Sequence, residues 1–316
     1  MSNKKILVVG GAGYVGGFLV DQLKQFSHDI TVYDNLTYEN HYLKQVPFIF
    51  GDIRDREKLS SILPNFDVVI WLAAIVGDGA CAIDPFLTQS INEDSVRWLV
   101  EHFKGKVIFT STCSIYGINN DLIDESAVPN PISIYAKTKL AAERWITCSS
   151  SNFLIFRLGT LYGMGDEHSR IRLDLVVNVL SKKAALGEPL TVFGGEQWRP
   201  LLHVRDVSSA IIYSLANDIT GLYNLSSGNY RIKDIAQTIQ KIIPETKVEC
   251  QDIKFEDQRN YQVKCDAFLS KGWIPSYTLE EGIMQVVDVV RYRRIKKLDN
   301  IIYSNQQYLG KNYFPL

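Results

Sequence analysis

The chain has 316 residues, enough for one large domain or two smaller ones. Its 34 Lys+Arg against 35 Asp+Glu leave a net charge of −1, which argues against a general nucleic-acid or membrane-surface binder. Hydrophobic residues make up 46%, normal for a full core, yet no apolar run reaches the roughly 18 residues of a membrane span. Met1-Ser2-Asn3-Lys4-Lys5 leads directly into an apolar strand, without the features of a signal peptide. The five cysteines are scattered and form no CxxC, which fits free thiols in a reducing cytoplasm better than disulfides or a metal site.

Ile6-Leu7-Val8-Val9 has the continuous apolar pattern of a strand buried on both faces. Gly10-Gly11-Ala12-Gly13-Tyr14-Val15-Gly16 follows at once, and Phe18, Leu19 and Leu23 then show a helical period. Ile30–Tyr33 is a second strand ending at Asp34, eighteen residues after Gly16. A glycine turn between strand and helix, with an acid at that distance, is the context of dinucleotide binding. The glycines admit a pyrophosphate, and the helix N-terminus offers amide donors to it. Asp34 can accept from both ribose hydroxyls and would repel a 2′-phosphate, favouring NAD over NADP.

Phe48–Phe50 is a third strand, closed by Gly51-Asp52-Ile53, and Asp55 is placed to cap a helix through Leu59 to Leu63. Asp67–Trp71 is the fourth strand and leads into Leu72-Ala73-Ala74. Residues 85–101 read as one helix. Lys106–Thr110 is the fifth strand, followed by a hydroxyl-rich segment, Ser111-Thr112-Cys113-Ser114, at its carboxyl end. Ligands of open α/β sheets bind there. After Pro129 and Pro131, Ser133 caps a helix that carries Tyr135 and Lys139 four residues apart, on one face. A free phenol titrates near ~10, and a neighbouring ammonium favours its ionised form. Phe153–Phe156 is the sixth strand. This βαβα alternation implies a doubly wound parallel sheet.

Together, Gly10 to Gly16, Asp34, Gly51-Asp52-Ile53, Leu72-Ala73-Ala74, Ser111-Thr112 with Ile115-Tyr116-Gly117, and Tyr135/Lys139 resemble an extended short-chain dehydrogenase/reductase. The resemblance is to the NAD-dependent nucleotide-sugar epimerase/dehydratase kind and runs to about Val290. It implies a Rossmann-type sheet with a smaller C-terminal α/β substrate domain, divided as 1–160, 161–297 (mainly substrate-binding, with some return segments to the Rossmann sheet) and a tail at 298–316. It implies NAD held by Gly10, Gly13, Tyr14, Val15, Gly16, Asp34, Asn35, Asp52, Ile53, Leu72, Ala73, Ala74, Tyr135 and Lys139. Tyr135 would be the acid/base, Lys139 would hold the nicotinamide ribose and depress the tyrosine, and Thr112 would bond the reacting hydroxyl.

For the nucleotide-sugar, the resemblance implies contacts from Thr112, Cys113, Ser114, Tyr135, Thr160, Asn178, Arg199 and Arg259. Arg199 to Val207 is similar to the family's Arg-Asp-x-x-His-Val-x-Asp-Val, with Pro200 in place of Asp, and Arg259 lies in Asp257-Gln258-Arg259-Asn260-Tyr261. Guanidinium forks suit a diphosphate. The family often has Asn where Thr160 stands. Arg170, Arg172 and Asn178 are expected at the start of a helix over Leu173 to Leu186, and His203 is expected to support structure. The family's 4,6-dehydratases carry Asp-Glu where this chain has Cys113 and Ser114, which disfavours dehydration; Cys113 is one position off for the acid of a 3,5-epimerase.

The expected reaction is epimerisation through a keto-sugar, at C4, by a cytoplasmic homodimer paired through residues 86–103 and 133–150. A dehydrogenase or ketoreductase of a nucleotide-linked hexose or heptose is the alternative, and a non-catalytic NAD-binding regulator is an alternative of another class. The tail carries Tyr303, Tyr308, Tyr313 and Phe314 and is expected to wrap the body or a neighbouring subunit.

Overall fold

The computed structural model describes residues 3–26, 28–39, 41–150, 152–166, 168, 170–251 and 259–312. Asp257, Gln258, Tyr313 and Phe314 lie outside them. The strands β1 (Lys5–Val9), β2 (Asp29–Asp34), β3 (Phe48–Phe50), β4 (Val68–Trp71), β5 (Lys106–Thr112), β6 (Phe153–Leu158) and β7 (Gly221–Leu225) form one sheet. Its order is β7-β6-β5-β4-β1-β2-β3, with every pairing parallel. The chain winds outward from β1 through β2 and β3, then crosses to β4 on the other side. The crevice therefore opens over the carboxyl ends of β1 and β4.

Alternate residues of these strands feed two cores. Ile6 and Val8 face one layer with Leu19, Val20 and Leu23 of the Gly16–Gln25 helix and Val207 and Ile211 of the Val204–Ala216 helix. Leu7 and Val9 face the other with Leu59, Trp98, Leu99, Ala142 and Ile146. Each such aliphatic side chain, fully buried, contributes roughly 1.5–3 kcal/mol. Asp55 and Ser133 cap their helices as expected, accepting from the backbone N–H of Lys58 at 3.1 Å and of Ala136 at 3.2 Å.

Two elements differ from expectation. The helix expected over 85–101 is Pro85–Gln89 and Ser95–His102 joined by one wide π turn at Ser90–Asp94. The Ser95 hydroxyl donates to the Ser90 carbonyl at 2.9 Å, and the turn rolls Asn92 inward. The helix expected over Leu173 to Leu186 begins at Val176, so Arg170 and Arg172 belong to the irregular approach before it. β7, from the later part of the chain, extends the main sheet beside β6.

The later chain builds its own smaller sheets around Val177, Leu180, Ile235, Ile239, Ile283 and Val287. Trp198–His203 pairs parallel with Thr160–Tyr162 and antiparallel with Gly228–Arg231. Asn260–Val263 pairs with Ile118–Ile123, just beyond the Thr112 segment. That pairing carries Arg259 across to the end of β5.

Candidate active site

A cleft of ≈ 1070 Å³ runs from Asp34 and Asp52 at one end to Arg199 and Arg259 at the other. At the first end the Gly10 turn is closely packed. Gly10 has φ +83°, and a Cβ there would lie 2.5 Å from the Ala73 nitrogen. A Cβ on Gly16 would lie 2.6 Å from the Gly11 Cα. Only glycine meets these two demands.

The Asp34 carboxylate accepts from Ala12 N–H at 3.0 Å and Leu36 N–H at 2.8 Å, locking its own loop to the glycine turn. Burial nonetheless leaves its pKa above the usual carboxylate value. Asp52 is also raised by burial, but a bidentate pair with Arg54, at 2.8 Å to each oxygen, outweighs that and holds it low. Asn35 donates to the same carboxylate at 3.3 Å. Tyr14, Val15, Ile53, Leu72, Ala73 and Ala74 line the cleft between these groups. Glycine turn, helix N-terminus and Asp34 thus fit a dinucleotide with an unsubstituted ribose.

Midway along the cleft stand Thr112, Tyr135 and Lys139. Thr112 ends β5, and its hydroxyl accepts from Ser114 N–H at 3.1 Å, fixing the turn that follows. The Thr112 hydroxyl lies close enough to the Tyr135 phenol to favour its ionised form. Burial dominates the titration of both helix residues. It drives the Tyr135 phenol well up, against the effect of Thr112, and it brings the Lys139 ammonium down to about 7, against the Glu143 carboxylate. The ammonium rests 3.9 Å above the Phe109 ring. Glu143, one turn further on, is held by Arg157 at 2.7 Å, and Arg157 donates to the Tyr116 hydroxyl at 2.9 Å. The sequence therefore foresaw the pairing on one helical face. It did not foresee that burial dominates the titration of each group.

At the far end the cleft is lined by Ser114, Thr160, Arg199 and Arg259. Arg259 pairs with Asp78 at 3.1 Å and donates to the Ser114 hydroxyl at 3.3 Å. Asp78 also accepts from the Ser133 hydroxyl at 2.7 Å. One carboxylate thereby ties the N-terminus of the Tyr135 helix to an arginine at the opposite wall. Arg199 is buried and donates to the carbonyls of Trp198 and Arg259.

Two expected substrate contacts are corrected. Cys113 points into the core among Ile115, Tyr116 and Tyr261, its thiol donating to the Arg157 carbonyl at 3.1 Å, and burial raises its pKa. Asn178 is fully buried and bonds the backbone of Gly163 and Arg172, at 2.9 and 2.8 Å. Each lies behind the wall, with its polar atoms bonded to backbone groups there. His203 is likewise internal, capping the Val204–Ala216 helix through Arg205 N–H at 3.2 Å and stacked 4.3 Å from the Tyr277 ring.

Further residues line or support the cleft, and Asn92 among them was not anticipated. Asn92 clamps the backbone of Ile75 with two bonds, Ile75 N–H to Oδ1 at 2.8 Å and Nδ2 to Ile75 O at 2.9 Å, holding the loop after β4. Arg170 lies 3.4 Å over the Tyr38 ring, and burial lowers its pKa to about 10. Arg172 forms a bidentate pair with Asp174, at 2.8 and 2.9 Å. The tail contributes Ser304, Asn305, Gln306, Tyr308, Leu309 and Asn312. An Asn inside a helical stretch was the one local signal available.

The model of the NAD dependent epimerase/dehydratase family matches residues 6–226. The chain belongs to that family. It is an enzyme whose cofactor is NAD. It is 27% identical over 270 residues to the UDP-glucose 4-epimerase of Corynebacterium glutamicum, covering 75% of this chain and 80% of that one. Among solved structures it is similar to the Thermus thermophilus UDP-glucose 4-epimerase in complex with NAD, at 25% identity and TM-score 0.78 over 92% of this chain and 99% of that one. It is also similar to the Bacillus cereus UDP-glucuronic acid 4-epimerase in complex with UDP-glucuronic acid and NAD, at 25% identity and TM-score 0.79 with the same coverage.

Proposed function

We propose that the chain is an NAD-dependent nucleotide-sugar epimerase acting at C4 through a transient keto-sugar. The observation that carries this is the placement of Thr112, Tyr135 and Lys139 in the same cleft as the glycine turn and Asp34. Relatives that act at C4 of UDP-glucose and UDP-glucuronic acid support the choice of carbon. Residues 1–160 then hold the cofactor and the reacting groups, 161–297 hold most of the substrate, and 298–316 form the tail.

NAD, when bound, supplies the acceptor and later the donor of a hydride. Gly10, Gly13, Tyr14, Val15 and Gly16 hold its pyrophosphate side, Asp34 and Asn35 the adenosine ribose, and Asp52 and Ile53 the adenine. Leu72, Ala73 and Ala74 allow close approach over β4. Thr112 orients the sugar hydroxyl, and Tyr135 takes its proton as the carbinol becomes a ketone. Lys139, on the same helical face, holds the nicotinamide ribose and, while protonated, favours the phenolate. Once the keto-sugar has presented its other face, Tyr135 returns the proton. Ser114 and Thr160 meet the sugar side, and Arg199 and Arg259 the diphosphate. Ser114 carries no carboxylate and Cys113 lies in the core, which supports epimerisation over dehydration.

A panel of nucleotide-sugars offered with sub-stoichiometric NAD tests this reading. The expected result is C4 epimers with no accumulation of reduced nicotinamide. Stoichiometric formation or use of reduced cofactor would establish the dehydrogenase or ketoreductase instead, and NAD binding without turnover the non-catalytic regulator. We also infer a cytoplasmic homodimer paired through helices at 86–103 and 133–150, where half-exposed Arg97 lies 4.4 Å over the Trp145 ring. A monomer in sedimentation equilibrium overturns the dimer. Among the described residues no helix is long and apolar enough to cross a membrane.

A further inference from the structure

The loop after β4 is fixed from several sides. Asn92 clamps Ile75, and the Cys81 thiol donates to the Ile75 carbonyl at 3.2 Å. The Asn305 side chain donates to the Val76 carbonyl at 2.7 Å, and Asn305 N–H to Asp174 at 2.8 Å. Gly77 turns the backbone at φ +102°, and the short Asp78–Cys81 helix follows. The Asn305–Asn312 helix crosses it so closely that a Cβ on Gly79 would collide with the Gln306 amide. Leu309 of that helix is buried in one apolar cluster with Ile75, Ala80, Cys81 and Tyr135. Asp78 is therefore presented to the cleft from an anchored base.

Its two carboxylate oxygens face different partners. Oδ1 accepts from the Ser133 hydroxyl at 2.7 Å, and Oδ2 pairs with Arg259 Nη1 at 3.1 Å. The same nitrogen donates to the Ser114 hydroxyl at 3.3 Å. A guanidinium is a rigid planar fork, so two contacts at one nitrogen constrain the direction of the whole group. Ser133 in turn accepts from Ala136 N–H at 3.2 Å and caps the Ile134–Ser149 helix. Tyr135 is the second residue of that helix, in the turn that frays first when a cap is lost. Asp78, Arg259 and Tyr135 all line the cleft.

We propose that Asp78 is a positioning residue with two separable duties: through Oδ2 it aims Arg259 at the substrate diphosphate, and through Oδ1 it holds the capped end of the helix that carries Tyr135. The proposal rests on the reading of the chain as a nucleotide-sugar epimerase. The first duty needs the negative charge, and the second needs only an acceptor oxygen. Asn in place of Asp78 keeps an acceptor for Ser133 but turns an amide donor toward the Arg259 donors, which swings the fork off its line.

The test titrates the NAD-loaded full chain with UDP and with UMP, and measures kcat and KM on UDP-glucose. Wild type should bind UDP more tightly than UMP. Asp78→Asn should shrink that preference and raise KM, each on the order of tenfold, the scale of one charge-assisted hydrogen bond, with a smaller effect on kcat. Ser133→Ala should lower kcat on the order of tenfold through misplacement of Tyr135 and leave the UDP preference at its wild-type value. Asp78→Ala should show both changes; if it does not fold, the other two variants still decide the matter. No preference for UDP in wild type, an unchanged preference in Asp78→Asn, or an equal loss of it in Ser133→Ala overturns the proposal. Reduced cofactor accumulating during turnover would overturn the epimerase reading alone, because the binding preference does not depend on the fate of the ketone.

Discussion

The two sides of the cleft are specified in different ways. On the sheet side, position follows from backbone rules: a strand end, a turn that tolerates only glycine, an acid at the end of the next strand, two residues one helical turn apart. Each of these is local in sequence, and each lands where the spacing says. On the opposite side the wall comes from the approach before Val176, the strand carrying Arg259 and the tail, elements far apart in the chain. What faces the cleft there depends on which side chains other walls have already claimed. The cofactor side is therefore general to the fold, and the substrate side individual to the chain.

Perturbing the sheet side should have the largest effect. Tyr135→Phe should lower kcat by roughly 10²–10⁴, the usual share of a positioned acid/base, with NAD affinity unchanged in a direct titration. Substantial residual turnover would move the proton transfer to the other wall. Arg157→Met should leave the Glu143 carboxylate buried and unpaired beneath Lys139, at a cost of about 3–5 kcal/mol in denaturant unfolding. A near-neutral result would mean that this network does not anchor the Tyr135 helix.

On the substrate side, His203 should give the fold a pH dependence. Burial lowers its pKa from 6.5 to about 4, so the unfolded chain takes up a proton first as the pH falls. Stability should be flat in this group above 6.5, then fall by up to about 3 kcal/mol by pH 4. The same melts on His203→Gln should lack that component of the slope. Smallest of all, Asn305→Ala should cost about 1 kcal/mol from the lost bond to Val76, read as a modest drop in melting temperature. A much larger loss would make the tail a structural strut of the whole cleft.

The unequal legibility of the two sides has physical causes. Gly10, Asp34, Thr112, Tyr135 and Lys139 could be located because backbone conformation and helical period leave few alternatives. Asn92 was hidden because a single π turn is invisible in a helical pattern. Cys113 and Asn178 carry cleft-suited chemistry, but the carbonyl of Arg157 and the amide of Gly163 needed them in the interior. Asp78 could not be found because its partners, Ser133 and Arg259, are 55 and 181 residues away. The docking of Leu309 against the Tyr135 cluster has no local signature, since its partners are more than 170 residues away in the chain.

The central claim is that the hydride leaves and returns within one binding event, on opposite faces of a keto-sugar held in this cleft. Substrate carrying deuterium at C4 tests it most directly, with the product read by NMR and reduced nicotinamide by absorbance. The account predicts the C4 epimer with its deuterium retained and no build-up of reduced cofactor. Loss of the deuterium to solvent, or its accumulation in free reduced nicotinamide, would contradict it.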